Sequence, residues 1–371
     1  MLRSEARVDL DAIRDNVATL RAGTPAEVMA VVKADGYGHG LLPSARAALA
    51  GGATWLGVAF LEEALALRAA GVTAPLLSWL AVPGERLVEA LAADVDVSVS
   101  ATWALAEVVD AARAAGRTAR LHLKVDTGLS RAGAAGGDWP DLVTAAAKAA
   151  SGGEVEVIGV WSHFTWADEP GHPTNAGQLA AYRLALDAAA DLGVVPALRH
   201  LANSAATLTL PDAHFDLVRP GIAVYGLTPV PRESTFGLVP AMTLRSTVAL
   251  TKRVPAGTGV SYGHAYTTDR EARLALVPLG YADGVPRAAT NAGPVLLGGR
   301  RRTISGRVCM DQFVLDVGDD EVEAGDDVVL FGPGTGGEPT AQEWADVLGT
   351  ISYEIVTRIG ARVPRTYVGS P

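Results

Sequence analysis

The chain has 371 residues, of which 49% are apolar and 19% are charged, and its formal net charge is −10. This length exceeds one typical domain, so we expect two, and the acidic balance without a basic tract argues against nucleic acid or an anionic membrane as partner. A single cysteine, Cys309, excludes an intrachain disulfide and fits a reducing compartment. The N-terminal segment MLRSEARVDLDAIRDNV is charged and typical of a helix, with no apolar signal core, and we expect a cytoplasmic protein.

From Val28 onward, short apolar runs alternate with alanine-rich helical stretches. The runs are VMAVVK, TWLGVAF, APLLSWL, VDVSVS, RLHLKVD, VEVIGVWSHF, LRHLANS and DLVRPGIAVYG. Eight strands that alternate with helices predict a TIM-like (β/α)8 barrel, which we assign to residues 1–232. An open doubly wound sheet suits the sequence less well, because no glycine-rich dinucleotide turn follows the first strand.

Polar side chains follow many of these predicted strands. Five of the eight strand ends carry ionisable or hydrogen-bonding groups, namely Lys33, Lys124 with Asp126, His163, Asn203 with Ser204, and Arg219 with Tyr225. In a barrel of this kind the chemistry lies where the strands end. The sequence therefore predicts a lined pocket at one end of the barrel.

After Pro231 the pattern changes to short strands with turns between them. The segments TLRSTVALTKRV, RLALVPLGY, GPVLLGG, RRTISGRV, QFVLDV and DVVLFG predict a mainly antiparallel β domain over residues 233–371. The segment TAQEWADVLGTISYEIVTRIG returns to helix, and Thr340 and Glu343 have the spacing of a capping box. The segment GPGTGGEP lacks the lysine and hydroxyl of a phosphate-binding loop, so we interpret it as a connecting turn.

Six segments together resemble the alanine racemase family, which uses pyridoxal phosphate and joins a barrel to a β domain. They are VVKADGYGHG, LKVDTGLSRAG, HLANSAA, RPGIAVYG, VSYGHAY and GRVCMDQ, and they follow the family's order along nearly the whole chain. The resemblance implies interconversion of L- and D-alanine by proton transfer between Cα and two bases, with D-alanine supplied for peptidoglycan. It also implies a homodimer with composite active sites, in which the β domain contributes to the partner subunit's site.

The resemblance assigns the two bases to Lys33 and Tyr262. Lys33 would hold the cofactor as a Schiff base and act on one face of Cα once the substrate has displaced it, and a buried lysine amine is nucleophilic enough for this. Tyr262 would come from the partner subunit and act on the other face. A phenol is a poor base at its ordinary pKa, so a nearby cation should lower that pKa, and His163 matches the family's partner of this tyrosine.

The resemblance also assigns a larger set of residues to the cofactor. These are Tyr37, His163, Asn203, Ser204, Arg219, Gly221, Ile222 and Tyr353. Arg219, with His200 behind it, would face the pyridine nitrogen. Because an arginine cannot accept a proton, that nitrogen should stay unprotonated, which weakens the ring as an electron sink and favours proton return to Cα over transamination.

The remaining site residues concern the substrate. Arg131 and the backbone amide of Met310 would contact its carboxylate, and Asp311 would support the site. The family's lysine at the position of Lys124 is often carbamylated and then orients the arginine. Weaker matches are the polar residues lining the corridor through which substrate enters, Asp168, Arg287 and Arg307. His163, Asp168, Glu169 and His172 fit no compact zinc pattern, so we expect no metal.

Three alternatives compete with alanine racemisation. A racemase of the same design could prefer serine or another small amino acid, and the sequence does not resolve the pocket wall that would decide this. A decarboxylase on a similar barrel is disfavoured, because its active-site cysteine and its acidic partner for the pyridine nitrogen have no match here. A non-catalytic barrel that binds pyridoxal phosphate is disfavoured because this chain keeps the β domain and its tyrosine.

Overall fold

The structure is a computed structural model that describes residues 2–370. Its contacts divide the chain into two compact units. The barrel unit consists of Ile13–Gly36 and Leu41–Leu238, and the β unit consists of the chain up to Ala12, Tyr37–Gly40 and Val239–Ser370. None of the helices within the described range is both long and apolar enough to cross a bilayer.

The first elements in the chain are strand β1 (Ser4–Asp9), which belongs to the β unit, and helix α1 (Leu10–Ala22). Eight parallel strands then form the sheet of the barrel unit, in the spatial order β8-β7-β6-β5-β4-β3-β2-β9. They are β2 (Glu27–Val31), β3 (Trp55–Val58), β4 (Leu76–Ser78), β5 (Asp96–Val99), β6 (Ala119–Lys124), β7 (Val155–Trp161), β8 (Leu198–His200) and β9 (Leu217–Val218).

Backbone hydrogen bonds join the two ends of this sheet. The Asp216 amide donates to the Arg199 carbonyl (3.1 Å) and the Arg219 amide donates to the Ala202 carbonyl (2.9 Å), which links the β9 segment to the β8 segment. The sheet is thereby closed into a barrel. The predicted (β/α)8 architecture and all eight predicted strands are confirmed.

The helices of the barrel unit fall between its strands. After the short left-handed turn α2 (Lys33–Tyr37) they are α3 (Leu41–Ala50), α4 (Leu61–Ala69), α5 (Leu87–Ala92), α6 (Thr102–Ala115), α7 (Asp138–Ser151), α8 (Pro173–Asp191) and α9 (Ser204–Thr209). A 3-10 helix, Ile222–Tyr225, follows β9. Helix α6 ends at Gly116 in the left-handed conformation, as the sequence predicts for a glycine stop.

The inside of the barrel is packed with large apolar side chains. Met29, Trp55, Leu77, Ile158 and Leu217 form one buried cluster. These residues come from five different strands, so their packing holds the strands in their parallel register.

Over the residues that the structure describes, the β unit contains three sheets. The largest has the order β16-β15-β18-β10-β1-β19, the second has the order β11-β14-β17, and the third pairs β12 with β13. The strands are β10 (Met242–Thr247), β11 (Leu250–Val254), β12 (Gly259–Val260), β13 (Tyr266–Thr267), β14 (Ala272–Val277), β15 (Pro294–Leu297), β16 (Arg300–Thr303), β17 (Phe313–Gly318), β18 (Asp327–Phe331) and β19 (Arg365–Val368). All pairs are antiparallel except β1 with β19, so the mainly antiparallel prediction is confirmed.

The helical interpretation of the N-terminal segment is wrong for residues 4–9. Burial alternates along β1, with Ala6 and Val8 inside, and β1 pairs with β10 and β19 in the largest sheet. The helix starts only at Leu10, where the Asp9 carboxylate accepts a hydrogen bond from the Ala12 amide (3.1 Å). The strand forms because its alternating pattern can be buried only against two strands that lie more than two hundred residues away.

The C-terminal helical segment is divided in two. Helix α10 (Ala341–Leu348) begins with the predicted capping box, in which the Thr340 hydroxyl accepts from the Glu343 amide (3.1 Å) and the Glu343 carboxylate accepts from the Thr340 amide (2.6 Å). It ends at Gly349, and α11 (Ser352–Thr357) follows. In the glycine-rich segment before α10, the Glu338 carboxylate accepts from the amides of Gly334 and Gly336. The chain's own carboxylate thus occupies these amides, as expected for a connecting turn.

Replacing one of the barrel's interior side chains tests how much this packing contributes. We expect Leu77→Ala to lower the free energy of unfolding by about 3 kcal/mol, through lost apolar burial and the cavity that remains. Leu184 is 69% exposed on α8, so Leu184→Ala should lower it by less than about 0.5 kcal/mol. Urea unfolding followed by tryptophan fluorescence measures both. Equal losses would contradict the assignment of Leu77 to the barrel core.

Candidate active site at the barrel mouth

Lys33 begins a left-handed turn that directly follows β2. The φ angles of Ala34, Asp35 and Gly36 are 55°, 53° and 61°, and that of Tyr37 is 52°. L-residues disfavour this conformation by about 1–2 kcal/mol each. Ala34, Asp35 and Tyr37 therefore need outside interactions to hold them, whereas Gly36 adopts this conformation readily.

Two carboxylates supply those interactions. One Glu63 oxygen accepts from the Ala34 amide (2.6 Å), and the other accepts from the amides of Ala59 and Phe60 (2.9 and 3.2 Å). The Asp35 carboxylate accepts from the Leu41 amide (2.8 Å), which closes the turn on its other side. The side-chain oxygen of an asparagine at this position could accept the same hydrogen bond. Sequence reasoning missed Glu63, for which the only signal is its place as the third residue of α4.

The Lys33 amine is half-buried. Within the described range, no carboxylate oxygen forms a salt bridge with it, and its Nζ lies 5.9 Å from the centre of the Trp79 ring. Burial lowers the pKa of Lys33, the Arg131 cation lowers it further, and only Glu63 opposes them. The neutral, nucleophilic form of the amine is therefore favoured relative to an exposed lysine.

Lys124 is the last residue of β6 and is buried. Its Nζ lies 4.3 Å from the centre of the Trp161 ring, and burial together with the Arg219 and Arg131 cations lowers its pKa to about 8. The nearby Asp126 carboxylate is engaged elsewhere, since it accepts from three amides of the following loop, at residues 128–130. Arg131 comes directly after this loop and is exposed.

Arg219 is a buried cation whose partners are all uncharged. Its Nη1 lies 3.1 Å from His200 Nδ1, its Nη2 donates to the Ser162 carbonyl (2.8 Å), and its guanidinium carbon lies 4.7 Å from the centre of the Trp161 ring. Burial lowers its pKa to about 10, so it stays charged at neutral pH. No carboxylate within residues 2–370 forms a salt bridge with it. Trp161, which sequence reasoning missed, thus lies against both Arg219 and Lys124.

His163 lies beside Arg219, with its Nδ1 3.5 Å from Arg219 Nη2. Loss of solvation and the Arg219 cation hold its pKa well below the usual range, so its imidazole is neutral. Asp168, farther along the same loop, is exposed and lies before α8. His172 accepts from the Thr174 amide and stacks on Trp166.

The predicted phosphate ligands of the barrel unit meet at two helix starts. Asn203 caps α9 by accepting from the Ala206 amide (3.0 Å). Ser204, the first residue of α9, is buried, and its hydroxyl oxygen accepts from the Gly221 amide (2.8 Å). Ile222 begins the next 3-10 helix, where the first amides have no acceptor within the helix. Amides at such positions suit an anion such as phosphate.

The balance of charge at this end of the barrel is strongly positive. Lys33, Lys124 and Arg131 lie close enough to one another for Arg131 to lower the pKa of both lysines, and Arg219 lowers that of Lys124. The nearby carboxylates, Glu63 and Asp126, are occupied by backbone amides. The site therefore has unsatisfied positive charge that suits an anionic ligand.

In the β unit, two predicted phosphate ligands lie together. The rings of Tyr37 and Tyr353 are 6.3 Å apart, and Tyr37 is buried whereas Tyr353 is half-buried. Burial raises the pKa of Tyr37, so its hydroxyl keeps its proton and can donate it in a hydrogen bond. Tyr353 lies on α11, as the helical prediction for this segment requires.

The predicted β-domain site residues form a second group in the β unit. Tyr262 is 71% exposed and follows Ser261, whose hydroxyl donates to the Arg307 carbonyl (2.8 Å). Met310 is exposed on the same segment as Arg307, and Asp311 next to it pairs with Arg362 (2.8 Å). The last predicted residue of this unit, Arg287, is exposed in a short 3-10 helix. The roles of all these residues stay predictions.

Comparison with known families gives two matches that together cover most of the chain. The N-terminal domain of alanine racemase matches residues 8–229, and the C-terminal domain of alanine racemase matches residues 241–367. Among curated proteins, the alanine racemase of Frankia casuarinae is 68% identical over 372 residues, covering 99% of this chain and 97% of that protein. That of Salinispora arenicola is 66% identical over 370 residues, covering 100% and 99%.

Solved structures give the same result. The alanine racemase of D-cycloserine-producing Streptomyces lavendulae has a TM-score of 0.99 at 57% identity, covering 100% of this chain and 98% of that one. The alanine racemase of Bacillus anthracis with bound L-Ala-P has a TM-score of 0.92 at 38% identity, covering 100% and 96%.

Removing the Glu63 carboxylate tests how much it stabilises the left-handed turn at Lys33. We expect Glu63→Ala to lower the free energy of unfolding by about 2 kcal/mol, because three backbone amides lose their acceptor and the left-handed turn loses its support. Glu62 is exposed and precedes Glu63 in α4, so Glu62→Ala is the matched control and should have little effect. Thermal unfolding measures both variants. The turn would not depend on Glu63 if the two melting curves coincided.

Proposed function

The chain belongs to the alanine racemase family, and from this premise we propose how its residues carry out the reaction. It is an amino-acid racemase, an isomerase that interconverts L- and D-alanine. The proposal concerns the cofactor, the two bases, the groups that hold substrate, and the assembly. The observation that carries it is the Lys33 amine, which is partly desolvated, has no salt-bridge partner among residues 2–370 and is fixed on a left-handed turn at a barrel strand end.

The barrel unit fits pyridoxal phosphate. When bound, this cofactor supplies an electron sink that makes the Cα proton of an attached amino acid acidic. Lys33 would hold it through the neutral amine that burial favours. Ser204, Gly221 and Ile222, together with Asn203, would hold its phosphate at the two helix starts. The excess of positive charge at this end of the barrel favours the phosphate further.

The β unit supplies two further phosphate ligands in this proposal, Tyr37 and Tyr353. The high pKa of Tyr37 keeps its hydroxyl protonated, so it can donate to a phosphate oxygen.

Arg219 would face the pyridine nitrogen of the cofactor. Its guanidinium has donors only, and it stays charged at neutral pH despite burial. It can therefore donate a hydrogen bond to the nitrogen, but unlike a carboxylate it cannot stabilise a proton on that nitrogen. In this proposal the electron sink is kept weak, which favours return of the proton to Cα.

Lys33 and Tyr262 would be the two bases, one on each face of Cα. Tyr262 would act in the partner subunit's active site, so we propose a homodimer in which each β domain completes the neighbouring site. The Tyr262 side chain is exposed in its own chain, as it must be to reach the partner subunit's active site. In this reading, the enzyme works in the cytoplasm and supplies D-alanine for peptidoglycan.

Arg131 and the Met310 amide would bind the substrate carboxylate, with Asp311 in support of Met310. Arg131 is exposed at the barrel mouth, and its fixed fork of donors suits a carboxylate. Asp168, Arg287 and Arg307 would line the corridor through which the amino acid arrives. His163 would contribute a neutral imidazole beside Arg219, and His200 would support the same arginine from behind.

We further infer that Lys124 is carbamylated. A carbamate forms only on a neutral amine, and the Lys124 pKa of about 8 makes that form accessible near neutral pH. The neutral amine forms a C–N bond to carbon dioxide and releases a proton to solvent, which places an anion beside the Arg131 and Arg219 cations. This relieves their mutual repulsion and gives Arg131 a carboxylate partner that the sequence does not encode.

Racemisation in heavy water tests the proposed bases. Purified protein with L-alanine should yield D-alanine that carries deuterium at Cα, as measured by chiral chromatography and mass spectrometry. Tyr262→Phe should keep cofactor absorbance but lower kcat by about a hundredfold or more, because one of the two proton-transfer groups is lost. Tyr266→Phe, four residues further along the chain, is the matched control and should retain turnover.

Two outcomes would contradict this account. Wild-type turnover by Tyr262→Phe in both directions would remove Tyr262 from the reaction. Absence of D-alanine despite bound cofactor would leave a cofactor-binding protein or a racemase of another amino acid, and the same run with L-serine distinguishes these two.

Carbamylation of Lys124 has its own signature. Protein equilibrated with 13C-bicarbonate should show a carbamate carbon resonance that Lys124→Arg abolishes. Lys148 is exposed on α7, so Lys148→Arg is the matched control and should retain the resonance. Lys124→Arg should also raise KM for alanine, since Arg131 loses its carboxylate partner. A resonance that persists in Lys124→Arg would place the carbamate elsewhere.

A further inference from the structure

A chain of hydrogen bonds runs from Arg219 through two histidines to Asp96. Arg219 Nη1 lies 3.1 Å from His200 Nδ1, and His200 Nε2 lies 2.9 Å from His122 Nδ1. His122 Nε2 in turn lies 3.3 Å from one Asp96 oxygen, and the other Asp96 oxygen accepts from Arg120 Nε (2.8 Å). The four side chains from Asp96 to Arg219 come from β5, β6, β8 and the end of β9.

The hydrogen-bonded side chains from Arg219 to Asp96 are enclosed in protein. His122 and His200 are fully buried, and Asp96 and Arg219 are nearly so. Burial lowers the pKa of both histidines, and the Arg219 cation lowers that of His200 further. Each imidazole is therefore neutral and carries one proton, so each has one donor nitrogen and one acceptor nitrogen.

Asp96 and Arg219, at the two ends of this series of hydrogen bonds, determine which nitrogen of each histidine carries the proton. The Asp96 carboxylate only accepts, so His122 must present a protonated Nε2 and an unprotonated Nδ1. His200 must then donate from Nε2 to that Nδ1, which leaves its own Nδ1 unprotonated. Arg219 only donates, and this Nδ1 is the acceptor it requires. Only this assignment gives each of the three hydrogen bonds one donor and one acceptor. The reverse assignment would protonate His200 Nδ1 and set its N–H against the Arg219 N–H.

The barrel leaves space for this pair of histidines. A Cβ atom at Gly159, on the intervening strand β7, would overlap His122 Nδ1 and would lie 3.0 Å from His200 Nε2. The ring of Trp161 stacks on that of His200 with an interplanar angle of 1°, and His200 meets His122 edge to face. The rings are thus fixed in orientation, so their protonation is the remaining variable.

We propose that Asp96 is a positioning residue for Arg219: through His122 and His200 it fixes the imidazole tautomer that gives the arginine its acceptor. The inference rests on the proposed function in one respect, namely that Arg219 faces the cofactor. Its statement about tautomers concerns the protein alone.

Asp96→Asn is the informative variant because Arg120 determines how the new amide points. The Arg120 donor holds the amide oxygen on its own side, so the NH2 group faces His122 Nε2. That nitrogen must now accept, and both histidines change to the Nδ1-protonated form. His200 then presents N–H to Arg219, and the hydrogen bond between them is lost.

Nitrogen-15 NMR of histidine-labelled holoenzyme reads these tautomers directly, with assignments from single histidine variants. We expect Nε2–H on both histidines in the wild type and Nδ1–H on both in Asp96→Asn. The variant should also show about a tenfold lower kcat with KM for alanine little changed, since the arginine and not the substrate site is displaced.

Two controls separate this role from a merely structural one. Arg120→Leu keeps the carboxylate, so it should keep both Nε2–H tautomers and wild-type turnover. In the double variant Asp96→Asn/Arg120→Leu the amide is free to turn its oxygen to His122, so the wild-type tautomers and most of the turnover should return.

The proposal is overturned by Nδ1–H on either histidine in the wild type, a result that needs no variant to fold. It is equally overturned if Asp96→Asn leaves both tautomers and kcat unchanged. The proposed function fails separately, if the wild-type holoenzyme produces no deuterated D-alanine, whatever the tautomers are.

Discussion

The burial of a guanidinium with no carboxylate beside it is the constraint around which the barrel mouth is arranged. A buried cation is costly unless its donors are used, and Arg219 uses them on a carbonyl oxygen and a histidine nitrogen. The flat face of Trp161 supports both this cation and Lys124. Because no carboxylate among residues 2–370 pairs with this guanidinium, the site favours an anionic ligand.

The shortage of nearby carboxylates also affects the protonation state of Lys33. An amine is useful as a nucleophile and base when it is neutral, and partial burial among cations favours that form. Its position depends on a left-handed turn that L-residues avoid, held mainly by the Glu63 carboxylate. Strain of this kind persists only where neighbouring groups hold it, and here it lies next to the proposed reactive atom.

Charges that lie far apart in the sequence thus act as one system. Lys124 has a lowered pKa because Arg219 and Arg131 lie near it, and a carbamate there would reverse the sign of one member. The Asp96 carboxylate is paired with Arg120, and in our proposal it acts on Arg219 only by fixing the tautomers of two neutral histidines. Such an arrangement gives Arg219 a hydrogen-bond acceptor without placing a carboxylate beside it.

The sequence by itself determined the alternation of strands and helices, the eight-stranded barrel, the family and the polar groups at strand ends, because periodicity and local motifs are local properties. It could not determine that residues 4–9 form a strand, since their partners lie in β10 and β19. Glu63, Trp161 and Asp96 also escaped notice, as their roles arise only when the closed barrel brings distant side chains together. The tertiary structure alone decided which charges are buried, which are paired, and hence which lysine amines have a lowered pKa.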